Sequence, residues 1–192
     1  MEICVFGAAS KTIDEKYITA VEEMGEFLAK RGHNLVFGSG CTGCMGAAAR
    51  GFKKGGGKIH GVIPEFFKED LSEFVNWDCD KMTRTKTMRE RKAVMEEEAD
   101  AFIITPGGAG TFEELFEVLT LKQLGRHRKP IAIYNIDGYY DKLEELIEYS
   151  IGTEFIKPTC RALYKYFDSF NEEMLAYIEQ DDIQGLTVHD FK

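Results

Sequence analysis

The sequence is short of positive charge: 24 Lys and Arg stand against 33 Asp and Glu, a formal net charge of −9. Nucleic acids and anionic membrane surfaces recruit clustered Lys and Arg, so neither is expected as the main partner; a local basic pocket stays compatible with the balance. Also missing is any apolar run of membrane-spanning length. The first residues, Met1-Glu2-Ile3-Cys4-Val5-Phe6-Gly7, carry an acidic residue and enter a strand-like run at once, without the basic region and long apolar stretch of a signal peptide. A soluble, cytoplasmic protein is expected. No internal repeat or low-complexity tract is present.

A disulfide framework is also lacking, because five cysteines are an odd number and no leader implies an oxidising compartment. Cys41 and Cys44 form a Cys-x-x-Cys pair. A structural zinc site needs two further ligands at suitable spacing, and Cys4, Cys79, Cys160 and the four scattered histidines supply no second pair. No metal is expected. A thioredoxin-like redox role is disfavoured because the pair lies inside a glycine-rich turn that has another explanation.

What is present is enough apolar content, 44% of 192 residues, to bury one good core, so a single domain over residues 1–192 is expected. Short apolar runs alternate with amphipathic stretches. The pattern gives strands at Ile3 to Phe6, Asn34 to Phe37, Lys58 to Ile63, Ala101 to Ile104, Pro130 to Tyr134 and Ala162 to Phe167. Helices are expected at Glu15 to Lys30, Met45 to Lys54, Thr85 to Glu98, Thr111 to Leu124, Tyr139 to Tyr149 and Asn171 to Ile178. Strands that are apolar throughout, rather than alternating, belong to a parallel sheet covered on both faces. The expected fold is therefore α/β, a Rossmann-like three-layer sandwich with a mostly parallel sheet and helices on both faces. Right-handed crossovers then bring the glycine turns at Gly7, Gly38 to Gly46 and Gly107 to Gly110 to one edge. The stretch Pro64 to Met82, which includes Trp77, has no clear period and reads either as a surface excursion or as a lid.

Pro106 to Glu114 reads Pro-Gly-Gly-Ala-Gly-Thr-Phe-Glu-Glu directly after an apolar strand. A glycine turn opening a helix offers unpaired N–H groups and a positive helix end to a phosphate. Glu113, Glu114 and Glu117 fall in the first turns of that helix, where carboxylates either complement the helix dipole or do chemistry. Gly38-Ser39-Gly40-Cys41-Thr42-Gly43 formally matches the dinucleotide fingerprint Gly-x-Gly-x-x-Gly. It follows the second strand rather than the first, and the next strand ends in Val62-Ile63-Pro64 rather than in an acidic residue, which argues against a nicotinamide cofactor. Met88-Arg89-Glu90-Arg91-Lys92 alone reads as a solvated helix face. Because its helix leads back to the strand carrying the glycine turn, Arg91 is placed to face Glu114.

Taken together, Val36-Phe37-Gly38-Ser39-Gly40-x-x-Gly43-x-Met45-Gly46, Met88-x-x-Arg91-Lys92 and Pro106-Gly107-Gly108-x-Gly110-Thr111-x-x-Glu114 closely resemble the LOG (Lonely Guy) family, once labelled lysine decarboxylase-like. The resemblance implies a Rossmann-like homodimer with active sites near the subunit interface. The implied activity is hydrolysis of the N-glycosidic bond of a cytokinin riboside 5′-monophosphate, to free base and ribose 5-phosphate, with no cofactor. By motif position the catalytic pair falls on Arg91 and Glu114. Substrate contacts fall on Gly107, Gly108, Ala109, Gly110, Thr111 and Glu113, on Lys92 and Thr120, on Ser39, Gly40 and Met45 of the upstream loop, and on Glu73. The sequence departs from the family at Arg89, where His is usual, and at Ser39 and Cys44, which replace Gly and Leu. A pyridoxal phosphate decarboxylase is disfavoured because no lysine stands in a context that singles it out for a Schiff base. A nucleotide-binding regulatory protein without catalysis remains the alternative.

Overall fold

The computed structural model describes residues 1–67, 72–180 and 188–191. Its strands are β1 (Glu2–Phe6), β2 (Asn34–Phe37), β3 (Ile59–Pro64), β4 (Lys81–Thr85), β5 (Ala101–Ile104), β6 (Ile131–Tyr134) and β7 (Lys165–Phe167). They form one sheet in the order β4-β3-β2-β1-β5-β6-β7, and every pairing is parallel. The helices are α1 (Glu15–Lys30), α2 (Gly43–Lys54), α3 (Met88–Glu98), α4 (Ala109–Gln123), α5 (Asp141–Gly152) and α6 (Glu172–Ile178).

The apolar strands are explained by their two faces. Along β1, Ile3 and Val5 point into a core with Met24 and Leu28 of α1, Phe52 of α2 and Met174 of α6. Cys4 and Phe6 point into a second core with Met95 of α3 and Leu115 and Val118 of α4. Successive strand residues face opposite sides, so a strand covered on both faces needs apolar residues at every position. The strand order reverses between β1 and β5: the chain runs outward to β4, returns to pair β5 with β1, and runs outward again to β7. In such sheets the crevice at the reversal, beyond the strand C-termini, is where ligands bind.

Two elements depart from the sequence expectation. Lys81 to Thr85 is an edge strand, and the following helix begins at Met88 rather than at Thr85. Lys81-Met82-Thr83-Arg84-Thr85 is polar because only β3 flanks it, so the buried-strand signature is absent. Near the C-terminus, residues 158–163 form a 3-10 turn and β7 is confined to Lys165–Phe167. Residues 72–79 are clasped to the loop after β2: Cys41 N donates to Phe74 O (2.9 Å), Asn76 N donates to Ser39 O (2.6 Å), and Gly40 bridges Val75. Residues 68–71 of the expected excursion lie outside the described residues.

Candidate active site

Three strand-to-helix loops meet at the reversal. The loop after β1 is tied to the others by Ala8 N donating to Pro106 O (3.0 Å), Met45 N donating to Ala8 O (3.1 Å) and Thr42 Oγ1 donating to Ala9 O (2.6 Å). Together they enclose a cleft of about 420 Å³. Its polar side is formed by Ser10, Gly108, Gly110, Thr111, Arg91 and Glu114, and its apolar side by Met45, Phe67, Phe74, Val75 and Met88.

Three helix starts are closed by side chains, Asp14 capping α1, Thr87 capping α3 and Asn171 capping α6, whereas α2 and α5, like α4, have no side-chain cap bond. The N-cap of α4 is Gly108, which has no side chain to offer. The first backbone bond of the helix runs from Phe112 N to Gly108 O (3.0 Å), so the amides of Ala109, Gly110 and Thr111 precede the ladder. With no acidic cap in competition, that positive helix end is open to an anion in the cleft.

At the floor lie Arg91 and Glu114, Nη1 to Oε1 3.2 Å, the facing expected from the order of the elements. Arg91 is buried and also donates through Nε to Val62 O (3.2 Å), the carbonyl near the end of β3. The guanidinium lies so close to the loop after β2 that a Cβ on Gly38 would stand 1.5 Å from Nη2; glycine at 38 is what lets the arginine cross beneath that loop. Burial pushes the Glu114 carboxyl above the usual glutamate range, against the opposing pull of Arg91. The site therefore holds one desolvated carboxylate, partnered by a fixed cation, next to an anion-receptive helix end.

The other expected site residues divide into two groups. Ser39, Gly40 and Met45 line the cleft with Gly108, Gly110 and Thr111. Ser39 adopts φ +59 and donates its hydroxyl to Asn76 O (2.9 Å), so it supports the wall more than it offers a free donor. Gly107 is buried behind the turn, where a Cβ would meet Thr111 Oγ1 at 2.1 Å. Ala109 is exposed at the first position of α4. Lys92 is buried beside α4, its ammonium held by Glu113 and, at 2.5 Å, Glu117. Burial opposes its charge, yet these two carboxylates together hold the ammonium above the ordinary lysine range. Thr120 lies on a separate groove with Phe116, Phe155 and Leu163, and Glu73 is exposed in the turn that precedes Phe74. Neither lines this cleft within the single chain.

Sequence reasoning gave no site role to Phe67, Phe74, Val75 or Met88, the apolar wall, although Met88 opens the arginine motif. Three of these belong to the aperiodic stretch Pro64 to Met82, so that stretch reaches the cleft and is more than a surface excursion. Its abundance of Phe in an acidic loop was the available signal. Cys41 and Cys44 have separate surroundings: Cys41 donates to Glu73 O (3.4 Å), while Cys44, in the first turn of α2, is buried in the core.

Fold and site together define a doubly wound α/β protein with an anion-receptive cleft at the reversal of its strand order and a buried arginine–glutamate pair as the cleft floor. The family described as "Possible lysine decarboxylase" matches residues 45–178. Probable cytokinin riboside 5′-monophosphate phosphoribohydrolase LOGL5 of Oryza sativa subsp. japonica is 38% identical over 161 residues, covering 84% of this chain and 65% of that protein. The relative of the same description, LOG6 of Arabidopsis thaliana, is 40% identical over 159 residues, covering 83% of this chain and 78% of that protein. The chain belongs to the LOG family. In fold it is also similar to the molybdenum cofactor carrier protein of Chlamydomonas reinhardtii, with a TM-score of 0.67 and 20% identity over 91% of this chain and 94% of that one.

Proposed function

We propose that the protein is a phosphoribohydrolase that cleaves the N-glycosidic bond of cytokinin riboside 5′-monophosphates and of AMP, releasing the free base and ribose 5-phosphate. The observation that carries this reading is the Arg91–Glu114 pair in a cleft whose wall is the uncapped N-terminus of α4. It is supported by the activity in the names of the Oryza and Arabidopsis relatives.

Breaking a ribosyl C–N bond develops positive charge on the sugar. Glu114 is the carboxylate that stabilises this charge from beside the anomeric carbon and orients the attacking water. Arg91 supplies the fixed positive charge of a guanidinium and does not serve as a proton donor. It holds Glu114 in place by a charge-assisted bond. The amides of Gly108 to Thr111 take the 5′-phosphate, and the apolar wall takes the base. Lys92, Glu113 and Thr120 lie outside the cleft of one chain. In this reading they act from the side where a second copy docks, in a cytoplasmic homodimer whose partners are small nucleotides and not nucleic acids.

The test is to incubate purified protein with AMP and with N6-isopentenyl-AMP and to assay free base and ribose 5-phosphate, with Glu114→Gln in parallel. Release by the wild type and loss of at least about a hundredfold in the variant is expected, as for removal of a group that stabilises transition-state charge. Near-normal turnover in Glu114→Gln contradicts the assignment. Nucleotide binding without release by the wild type points to a regulatory binding protein instead.

A further inference from the structure

A backbone carbonyl carries partial negative charge and repels phosphate, so a phosphate loop must turn its carbonyls away. Beside this cleft four consecutive carbonyls are all engaged elsewhere. Thr105 O accepts from Tyr140 Oη (2.8 Å), Pro106 O from Ala8 N (3.0 Å), Gly107 O from Tyr139 Oη (2.6 Å) and Gly108 O from Phe112 N (3.0 Å). Two of the four are held by adjacent tyrosines that lie over 30 residues further along the chain and do not line the cleft.

The tyrosines are themselves held in place. A 3-10 turn over Ile136–Gly138, with Asp137 at φ +55 and Gly138 at φ +70, reverses the chain after β6. Asn135 pins the start of α5 to the end of that strand: its Oδ1 accepts from Tyr140 N (2.6 Å), and its Nδ2 donates to Asp141 (2.8 Å) and Asp168 (3.0 Å). The two rings meet edge to face with centroids 5.0 Å apart, and Tyr139 also meets Tyr17 in the same manner at 6.0 Å. Two hydroxyls on one rigid unit thus reach two carbonyls of the same loop.

In a trans peptide the carbonyl and the following N–H point in opposite directions. Drawing Gly107 O toward Tyr139 therefore turns the N–H of Gly108 the other way, to the side of the cleft that Gly108 lines. A peptide whose oxygen accepts a strong bond is polarised and donates more strongly through its nitrogen. We propose that Tyr139 and Tyr140 are positioning residues for phosphate recognition: Tyr139 holds the Gly107 carbonyl and Tyr140 the Thr105 carbonyl away from the cleft, so that the turn offers the 5′-phosphate amides only. The proposal rests on the functional reading above, because it presumes that a phosphate occupies that end of the cleft.

The test uses Tyr139→Phe, which keeps the ring of a partly exposed residue and removes only the hydroxyl. Calorimetry is expected to show ribose 5-phosphate binding weakened about tenfold and the KM for AMP raised in proportion, the loss of one well-aligned charge-assisted contact. The inhibition constant of adenosine, which lacks the phosphate, stays unchanged, while the melting temperature falls by no more than about the few degrees that one hydrogen bond is worth. Tyr140→Phe, measured below its own melting transition, shows a smaller loss of the same selectivity, because the Thr105 carbonyl precedes Pro106 and turns no N–H toward the phosphate. Equal ribose 5-phosphate affinity in wild type and Tyr139→Phe overturns the clamp while leaving the activity standing. Parallel weakening of adenosine and ribose 5-phosphate marks a packing role and also overturns it. A wild type that binds no ribose 5-phosphate removes the functional reading and the clamp together.

Discussion

Glu114 is subject to two opposing influences, burial that favours its neutral form and Arg91 that favours its charged form, and burial prevails. The proposed chemistry uses the carboxylate, which forms only as the pH rises through this raised pKa. The acid limb of kcat/KM is therefore expected above the ordinary glutamate value of about 4.3, and activity should climb with pH across it. Arg91→Gln removes the cation that opposes the shift, so its residual activity should have the limb at still higher pH. A profile of AMP hydrolysis from about pH 4 to about pH 8 checks both; a wild-type limb at the ordinary glutamate value contradicts the burial argument. The same shift acts on folding in a defined direction. Stability contributed by neutral Glu114 is complete below the unfolded pKa and is lost as pH rises through the folded one. Among residues, the motif glycines and the Arg91–Glu114 pair were legible in sequence because their spacing and types carry the chemistry. Tyr139 and Tyr140 were not, because a hydroxyl that reaches a carbonyl 32 or 35 residues away leaves no local pattern.

The elements set the direction in which these residues point. α3 begins with a reciprocal cap: Thr87 Oγ1 accepts from Glu90 N (3.1 Å), and Glu90 Oε2 accepts from Lys86 N (2.7 Å). That start fixes the phase of the helix, so that Arg91, one turn in, faces the sheet while Arg89 and Glu90 face outward. Thr87→Ala is expected to cost about 1 kcal/mol of stability by thermal or denaturant melting, with the fold retained; an unchanged midpoint would show that the cap contributes nothing here. The helices and the interior strands were legible to within a few residues because apolar periodicity identifies them. The edge strand β4 was not, since a strand paired on one side and largely exposed carries polar residues that resemble a helix start. α4 was legible as a helix with an open N-terminus, because a glycine turn offers no capping side chain; only its start, expected at Thr111, lies two residues earlier at Ala109.

For the whole molecule, the sheet reversal between β1 and β5 brings residues 7–10, 38–45 and 106–114 together, although they are far apart in sequence. The described surface outside the cleft carries large apolar side chains, among them Phe155 at 88% exposure, Tyr149 at 69% and Leu146 at 58%. Phe155 and Phe116 flank the groove that contains Thr120. Contiguous apolar exposure is a usual mark of a surface that meets another, and Phe116 and Phe155 supply it along that groove. The proposed homodimer is therefore expected to run at about twice the 21.8 kDa chain mass in light scattering, and Phe155→Glu should shift it toward monomer. A wild type that stays monomeric at micromolar concentration contradicts the dimer. No helix among the described residues is long and apolar enough to cross a membrane.

By itself, the sequence determined the α/β class, because strands apolar at every position can only be buried on both faces. It also determined the chemical types at the site, because a glycine turn before a helix and a paired arginine and glutamate are local properties of short segments. The tertiary structure alone decided which of those residues share a cleft. It placed Lys92 and Thr120 outside that cleft and brought Phe67, Phe74, Val75 and Met88 into it. It also set the direction of the Gly107 carbonyl through Tyr139. Such contacts join residues distant along the chain, and their geometry is fixed only when both cores have closed on the sheet.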